Sequence, residues 1–408
     1  MPILFTFAWR NLWRNRRRTL ITVSSVLFTY LLAVALLSFM GGFQQQMTES
    51  LIRQETGYLQ IQDALYLDEP SMDHIFDHSE EVSDVLEKFG DDIDFTVPRI
   101  RGFSLAAKGM TTRPAMVAGI VPEKEDKLRE ISSHVTKGKM FSPGDDFAVV
   151  AAGLADLLDL SVGDTLVLIG QGFQAVSATG KFPVGGIVEL NLPEPNNTKV
   201  YLPLERAQWY FDAGNRLTNL LIMPHDTKRI SQLAAEMEEN LDREWYAVRT
   251  WKEIVPDMVE LMEMQRLVYS LITWVFYIIV GFGIFGTILT MLYERMREFG
   301  ILLSLGMKRH QLALVTLTET VSIGLMGVAA GIVAGIPLIL ILNRFPIRFS
   351  GEMEAYMHDF GMEAVFPFVM SPGLFINQGF IVFGITLFIG LYSIRKILVM
   401  NVLDAARS

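Results

Sequence analysis

Glu294-Arg-Met-Arg-Glu-Phe-Gly-Ile-Leu-Leu-Ser-Leu-Gly-Met-Lys-Arg-His310 is a charged, amphipathic stretch held between two long apolar runs. Before it, Leu267 to Tyr293 reads LVYSLITWVFYIIVGFGIFGTILTMLY without one ionised residue, and after it Gln311 opens another such run. A bilayer core needs ~20 apolar residues per helix, so both runs are long enough to span. Between them Phe299, Leu302, Leu303 and Met307 recur at helical spacing, with Glu298, Lys308 and Arg309 around them. Gly300 and Gly306 bracket Ile-Leu-Leu-Ser-Leu, which suits a short helix lying between two turns. On composition alone such a segment either closes two spans at the membrane surface or also docks a partner in the water phase.

Two further spans are expected at about 20–40 and 374–394, beside those at 267–293 and 312–342, and Gly335 and Pro337 predict a kink in the third. Charge divides the chain unevenly. Residues 43–265 carry 37 acids against 20 bases, a net −17, while the remainder nets +7. Arg10, Arg14, Arg16, Arg17 and Arg18, then Arg295, Arg297, Lys308 and Arg309, then Arg395, Lys396 and Arg407, all fall on one side of a four-span topology. The positive-inside rule puts both termini and the 294–310 loop in the cytoplasm. Phe5, Trp9, Leu12 and Trp13 give the opening helix an aromatic face beside a basic one, the composition of a helix lying in a membrane interface near anionic lipid. The apolar run Leu20 to Met40 is longer than the core of a signal peptide, so it is read as an uncleaved span.

The expected fold is therefore an integral membrane α-helical protein, with four transmembrane helices and a large α+β extracytoplasmic domain between the first and second spans. Its parts are an interfacial helix at 1–18, spans at 19–42, 266–293, 312–342 and 374–394, and the external domain at 43–265. The 294–311 segment, an external loop at 343–373 and a tail at 395–408 complete it. Within the domain, helices are expected at Gln44–Arg53 and Ile230–Leu241. Strands are expected at 147–152, 165–169, 186–190 and 199–204, with a strand-rich insertion near 106–205. Met258 to Leu267 reads as a helix running unbroken into the second span, which would act as a strut.

Arg297-Glu-Phe-Gly-Ile-Leu-Leu-Ser-Leu-Gly-Met-Lys-Arg309 closely resembles the R-E-I-G-I-L-R-A-L-G-A-S-R signature of the FtsX/MacB/LolC permease family. Ala8-Trp-Arg-Asn-Leu-Trp-Arg-Asn-Arg-Arg-Arg-Thr-Leu-Ile-Thr22 is similar to that family's amino-terminal A-x-R-N-L-x-R-x-x-x-R-T-x-L-T. Gly153 to Leu166 is similar to its periplasmic G-x-x-L-A-x-x-L-x-L-x-x-G-D-x-V run, and Tyr392 to Arg407 resembles its carboxyl-terminal ending but departs at Ser393, Val399 and Val402.

The resemblance implies a type VII ABC transporter permease in a bacterial inner membrane, with 294–311 as a coupling helix. ATPase-coupling residues are then expected at Glu294, Arg297, Glu298, Phe299, Gly300, Leu303, Leu305, Gly306, Lys308 and Arg309. The implied partners are a cytoplasmic LolD/MacB-like ATPase dimer, a second permease chain in a homo- or heterodimer, membrane lipids, and a lipoprotein or a periplasmic or outer-membrane partner. Nucleic acid is not among them. Lipoprotein or lipid release, export of a hydrophobic substrate, and regulation of a cell-wall hydrolase are the branches it leaves open. A membrane-anchored sensor without transport is the alternative class.

The chain has no G-x-x-x-x-G-K-[ST] phosphate loop, so it is expected to bind no cofactor itself and to be no enzyme, with ATP-Mg held by the partner ATPase. Asp73-His74 and Asp77-His78 have the spacing of a metal pair but no third ligand, so no metal or catalytic residue is assigned. Glu319 is the one acid well inside a span, either functional or shallow enough to snorkel or bond to the neighbouring loop; the resemblance favours a brace for the coupling helix. Gly327, Gly331 and Gly335, with a smaller cluster at Gly281, Gly283 and Gly286, are expected to let spans approach closely.

Overall fold

A long apolar run in a bilayer settles into a helix because every backbone amide must be satisfied within the segment. The computed structural model describes residues 2–14, 16–190, 193–359 and 364–399. Among these, four helices are long and apolar enough to cross a membrane: Arg16–Thr56, Pro256–Glu294, Arg309–Arg344 and Pro372–Val399. The large α/β domain lies in sequence between the first and second. The chain divides into two compact units: Met1–Gln45, Met262–Arg348 and Val365–Ser408 form one, Gln46–Leu261 and Phe349–Ala364 the other.

In the helical unit the third span supplies a glycine face to the first. A Cβ on Gly327 would stand 2.6 Å from Val26 Cβ, and one on Gly331 2.5 Å from the Tyr30 ring. Val26 and Tyr30 are fully buried there, and the Tyr30 hydroxyl donates to the Phe375 carbonyl at 2.9 Å, tying in the fourth span. Small residues admit a bulky neighbour only by omitting their own side chain, which is how glycine drives packing where no water is available to do it. Gly335 makes ordinary contacts with Leu31 and Phe375, and Gly281 one with Ile385. Gly286 departs from expectation, since a Cβ there would meet nothing within 4 Å. It faces an open groove rather than a neighbouring span. The third helix runs through Pro337 without a break.

The amino-terminal helix, Pro2–Arg14, keeps Trp9 and Trp13 together on one side but turns Leu12 away from them. Asn11 and Leu12 are buried, whereas Trp9 and Trp13 are about half exposed and meet edge to face at 6.2 Å. The side chain of Phe5 and all residues from 400 onward, including most of the carboxyl-terminal resemblance, lie outside the described residues.

The other unit is built on strands β1 Leu59–Asp63, β2 Phe76–Asp77, β3 Ile93–Lys108, β4 Thr111–Ile120, β5 Val135–Gly138, β6 Ala148–Ala151, β7 Thr165–Gln171, β8 Ser177–Val188, β9 Lys199–Pro203, β10 Arg216–Leu217, β11 Asn219–Pro224 and β12 Tyr246–Thr250. Among the described residues they form a ten-stranded sheet in the order β12-β1-β11-β3-β4-β9-β6-β8-β5, with β7 pairing β3 and β8, and a separate β2–β10 pair. The boundary expected near 106 falls inside β3, which pairs with β11 along its first half and with β4 and β7 along its second. The strand-rich region is therefore a continuation of one sheet.

The Gly153–Leu166 run has a plain physical reading. Leu154, Ala155, Leu158 and Leu160 enter the core, Gly163 takes the left-handed φ of +96° that turns the chain, and Asp164 accepts from Ser161 N at 2.8 Å and Lys108 Nζ at 2.7 Å. Those hydrogen bonds hold the Asp164 carboxyl below the ordinary range.

A buried ion network fastens the start of the sheet. Arg99 donates twice to Glu125, at 2.5 and 2.9 Å, and Arg129 Nε donates to Glu125 at 2.9 Å. Burial alone would raise the Glu125 pKa, but the Arg129 and Arg99 charges outweigh it and bring it down to about 2. The Asp73–His78 stretch is occupied by local pairing: His74 lies 3.5 Å from Asp63 and 3.4 Å from Glu69. His78 is held below its ordinary pKa by burial and by Lys124, against the opposing charge of Asp77. Among the described residues no three His, Asp or Glu side chains converge as metal ligands.

Candidate functional site

The 294–311 segment folds as the helix Met296–Ser304, and its carboxyl-terminal end follows from Gly306. Gly306, at φ +97°, lets Gly306 N donate to Leu303 O and Met307 N to Leu302 O, both at 3.1 Å. This double closure satisfies the last carbonyls and needs a residue tolerant of positive φ. The chain then enters the third span, where Lys308 N donates to Gln311 Oε1 at 3.1 Å.

One side of the short helix is packed. Phe299 is 1% exposed against Leu292, Leu312, Ala313 and Ile397, with Leu302, Leu303 and Met307 around it. Gly300 is buried too. Phe299 and Gly300 were expected on the coupling surface; the structure turns them inward, because an aromatic ring gains more from this core than from water. Leu303 is half-buried beside them. Arg297, Leu305, Gly306, Lys308 and Arg309 are exposed, and Arg309 also donates to Leu398 O at 2.7 Å. Ile301, absent from the sequence-based set, is 48% exposed, and Leu305 is 79% exposed. Arg297, Ile301, Ser304 and Leu305 thus form an outward face at helical spacing, apolar at Ile301 and Leu305, with Arg297 before them and Lys308 exposed just past the Gly306 turn.

Beneath this helix lies a buried ion pair. Glu319 is 1% exposed and receives Arg295 Nη1, Arg295 Nη2 at 3.3 Å and Asn11 Nδ2 at 2.7 Å. Arg295 also lies over the Phe299 ring at 5.0 Å and places Nε 3.6 Å from Glu298. Three segments therefore meet at one carboxylate: the amino-terminal helix through Asn11, the start of the 294–311 segment through Arg295, and the third span through Glu319. Glu319 does not snorkel. It is surrounded by protein, which a buried charge tolerates only when paired and hydrogen-bonded. At the surface, Arg18 Nε holds Glu294 at 2.8 Å and Arg14 lies 3.6 Å from Glu298. Asn11 and Arg295 escaped the sequence reading. The available signal was Glu319 itself, since a buried acid requires a base, and the sequence alone could not choose which base comes near.

Residues 19–240 match the MacB-like periplasmic core domain, and residues 270–402 match the FtsX-like permease C-terminal domain. The lipoprotein-releasing system transmembrane protein LolC of Xylella fastidiosa (strain 9a5c) is 22% identical over 262 residues, 61% of this chain and 63% of that protein. The alignment thus spans less than two thirds of that relative. An uncharacterized ABC transporter permease of Methanocaldococcus jannaschii is 19% identical over 343 residues, 82% of this chain and 83% of that one. Among solved structures, the periplasmic region of MacB from Actinobacillus actinomycetemcomitans is 13% identical with a TM-score of 0.36, covering 51% of this chain and 95% of that one. One family model covers more than half of the chain from the first span onward and a second covers the last three spans; the chain belongs to the FtsX-like ABC transporter permeases that carry a MacB-like periplasmic core domain.

Proposed function

We propose that this chain is the membrane subunit of a MacB/LolC-type transporter whose 294–311 segment docks a separate cytoplasmic ATPase. The carrying observation is the division of that segment into an anchored side and an outward side. Phe299 and the Arg295–Glu319–Asn11 cluster fix the helix to the bundle, while Ile301 and Leu305 stay in water between Arg297 and Lys308. An apolar centre with a charged rim is the anatomy of a docking surface. A rigid helix docked in this way passes motion to the second and third spans, between which it is inserted. ATP-Mg is bound and hydrolysed in the partner, since this chain has no phosphate loop.

The clustering of basic residues supports cytoplasmic termini and an inner-membrane placement with the large domain outside. A second permease chain completes the assembly. The cargo proposed is a lipoprotein or another membrane-embedded apolar substrate, supported by the lipoprotein-releasing relative and by spans with no polar stripe beyond Glu319 to line an aqueous path.

The test is an Ile301→Asp/Leu305→Asp double variant, affinity-purified from native membranes. The expected result is loss of the co-purifying ATPase with the chain still inserted and monodisperse. An ATPase retained at wild-type stoichiometry overturns the docking reading.

A further inference from the structure

Between the start of the first span and the second span opens a groove of about 940 Å³. Its wall changes character along its length. At one end stand Arg14, Arg16, Arg17 and Arg18; further along come Thr287, Gly286, Gly283 and Phe282. From Glu294 to Phe282 a helix rises ~18 Å, close to the ~15 Å of one leaflet's hydrocarbon.

The cationic end is undercompensated. Glu294 takes Arg18 Nε and Glu298 faces Arg14, yet among the described residues Arg16 and Arg17 have no carboxylate within 4.0 Å. Arg18 Nη1 is shielded from solvent with no hydrogen-bond partner among the described residues. A guanidinium nitrogen in that position lacks an acceptor, and a phosphate oxygen is the acceptor whose geometry it matches. The apolar end is open because Gly283 and Gly286 leave it so: a Cβ on either would touch nothing within 4 Å. Trp13, of the residue type that sits at headgroup level, lies 5.8 Å from the Arg16 guanidinium and packs edge to face on Trp9.

We propose that this groove is a binding site for one anionic phospholipid, its phosphate among Arg16, Arg17 and Arg18 and one acyl chain along Phe282, Gly283 and Gly286. The order of charges and apolar surface along the groove matches the order of chemical groups in a phospholipid. The site rests on the membrane placement of the bundle and not on the ATPase-docking reading. A bound lipid wedged between the first and second spans would make their separation depend on membrane charge.

The test uses native mass spectrometry of the full chain, purified with any partner chains it retains, after titration with phosphatidylglycerol or phosphatidylethanolamine of equal chain length. The expected result is retention of phosphatidylglycerol over phosphatidylethanolamine. Its affinity should fall about fivefold for each of Arg16→Gln, Arg17→Gln and Arg18→Gln. Gly283→Leu leaves every arginine in place and fills the groove, so it should remove the retained lipid by itself and covers the case in which the arginine variants misinsert. Equal retention of both lipids, or unchanged retention in Gly283→Leu, overturns the proposal. Displacement of the lipid by inorganic phosphate at matched charge would identify a soluble-anion site instead and overturn it too. The chain has no cysteine, so Gly286→Cys gives a unique reporter. Quantitative disulfide formation between two copies in native membranes would show that a second chain fills the groove, which also overturns it.

Discussion

Arg295→Met isolates the buried charge beneath the Met296–Ser304 helix. In the wild type, Glu319 is 1% exposed and is satisfied by Arg295 and Asn11. Removing the guanidinium leaves a carboxylate with one neutral donor and no route to water. Breaking a buried pair from one side costs ~3–5 kcal/mol, because the remaining charge is uncompensated. Replacing both members with apolar residues of similar volume, Arg295→Met with Glu319→Leu, removes the desolvation penalty together with the attraction. That double variant is expected within ~1 kcal/mol of wild type, or above it. The assay is a double-mutant cycle on unfolding in mixed micelles, followed by the ATPase activity of the assembled transporter. The expected pattern is strong destabilisation by the single change, near-complete recovery in the double, and recovery of ATPase coupling to the extent that the helix is again held. If Arg295→Met and Glu319→Leu each destabilise and simply add, the two side chains do not act as a pair and do not brace the helix. If Glu319→Gln abolishes transport while stability and ATPase docking stay intact, the carboxylate is carrying protons instead.

Gly331→Ala should destabilise the bundle by ~1–3 kcal/mol, because its new methyl lies 2.5 Å from the Tyr30 ring, whereas Gly286→Ala should stay within ~0.5 kcal/mol; thermal unfolding in detergent separates the two. The Glu125 network should make the external domain acid-sensitive. Its folded pKa of about 2 lies below the ordinary 4.5, so its contribution is complete above pH 4.5 and is lost as pH falls toward 2. Hydrogen exchange around residues 95–101 should accelerate across that window in the wild type, and should be fast and pH-independent there in Glu125→Gln once intrinsic exchange is corrected. Gly306→Ala meets no neighbour but must hold φ near +97°, so it should cost ~1 kcal/mol and fray Leu302–Leu305, measurable as faster exchange at those amides.

What depends on long runs and local rules is legible before any fold is known. Four apolar segments longer than a bilayer core can only be helices, the basic clusters repeat on one side, and Gly306 marks the end of a short helix because a positive φ is a local demand. The Gly327–Gly331–Gly335 face was legible for the same reason, as its spacing is fixed by the helix. Tertiary structure decided everything that depends on which distant surfaces meet. Hydrophobic spacing put Phe299 on a face but could not say whether that face meets the bundle or a partner, and the core around Leu292, Leu312 and Ile397 claims it. Ile301 and Leu305, of nearly the same hydropathy, stay outside because the helix has only one packed side. Glu319 announced a need for a base, and only packing selected Arg295 from 24 positions upstream and Asn11 from the other end of the chain. Gly286 looked like another helix-packing glycine, yet it borders an open groove. In each case helical period is set within a few residues, while the partner of a face is set by contacts between separate elements, 24 residues apart for Arg295 and Glu319 and 308 for Asn11 and Glu319, and a single sequence does not encode those as pattern.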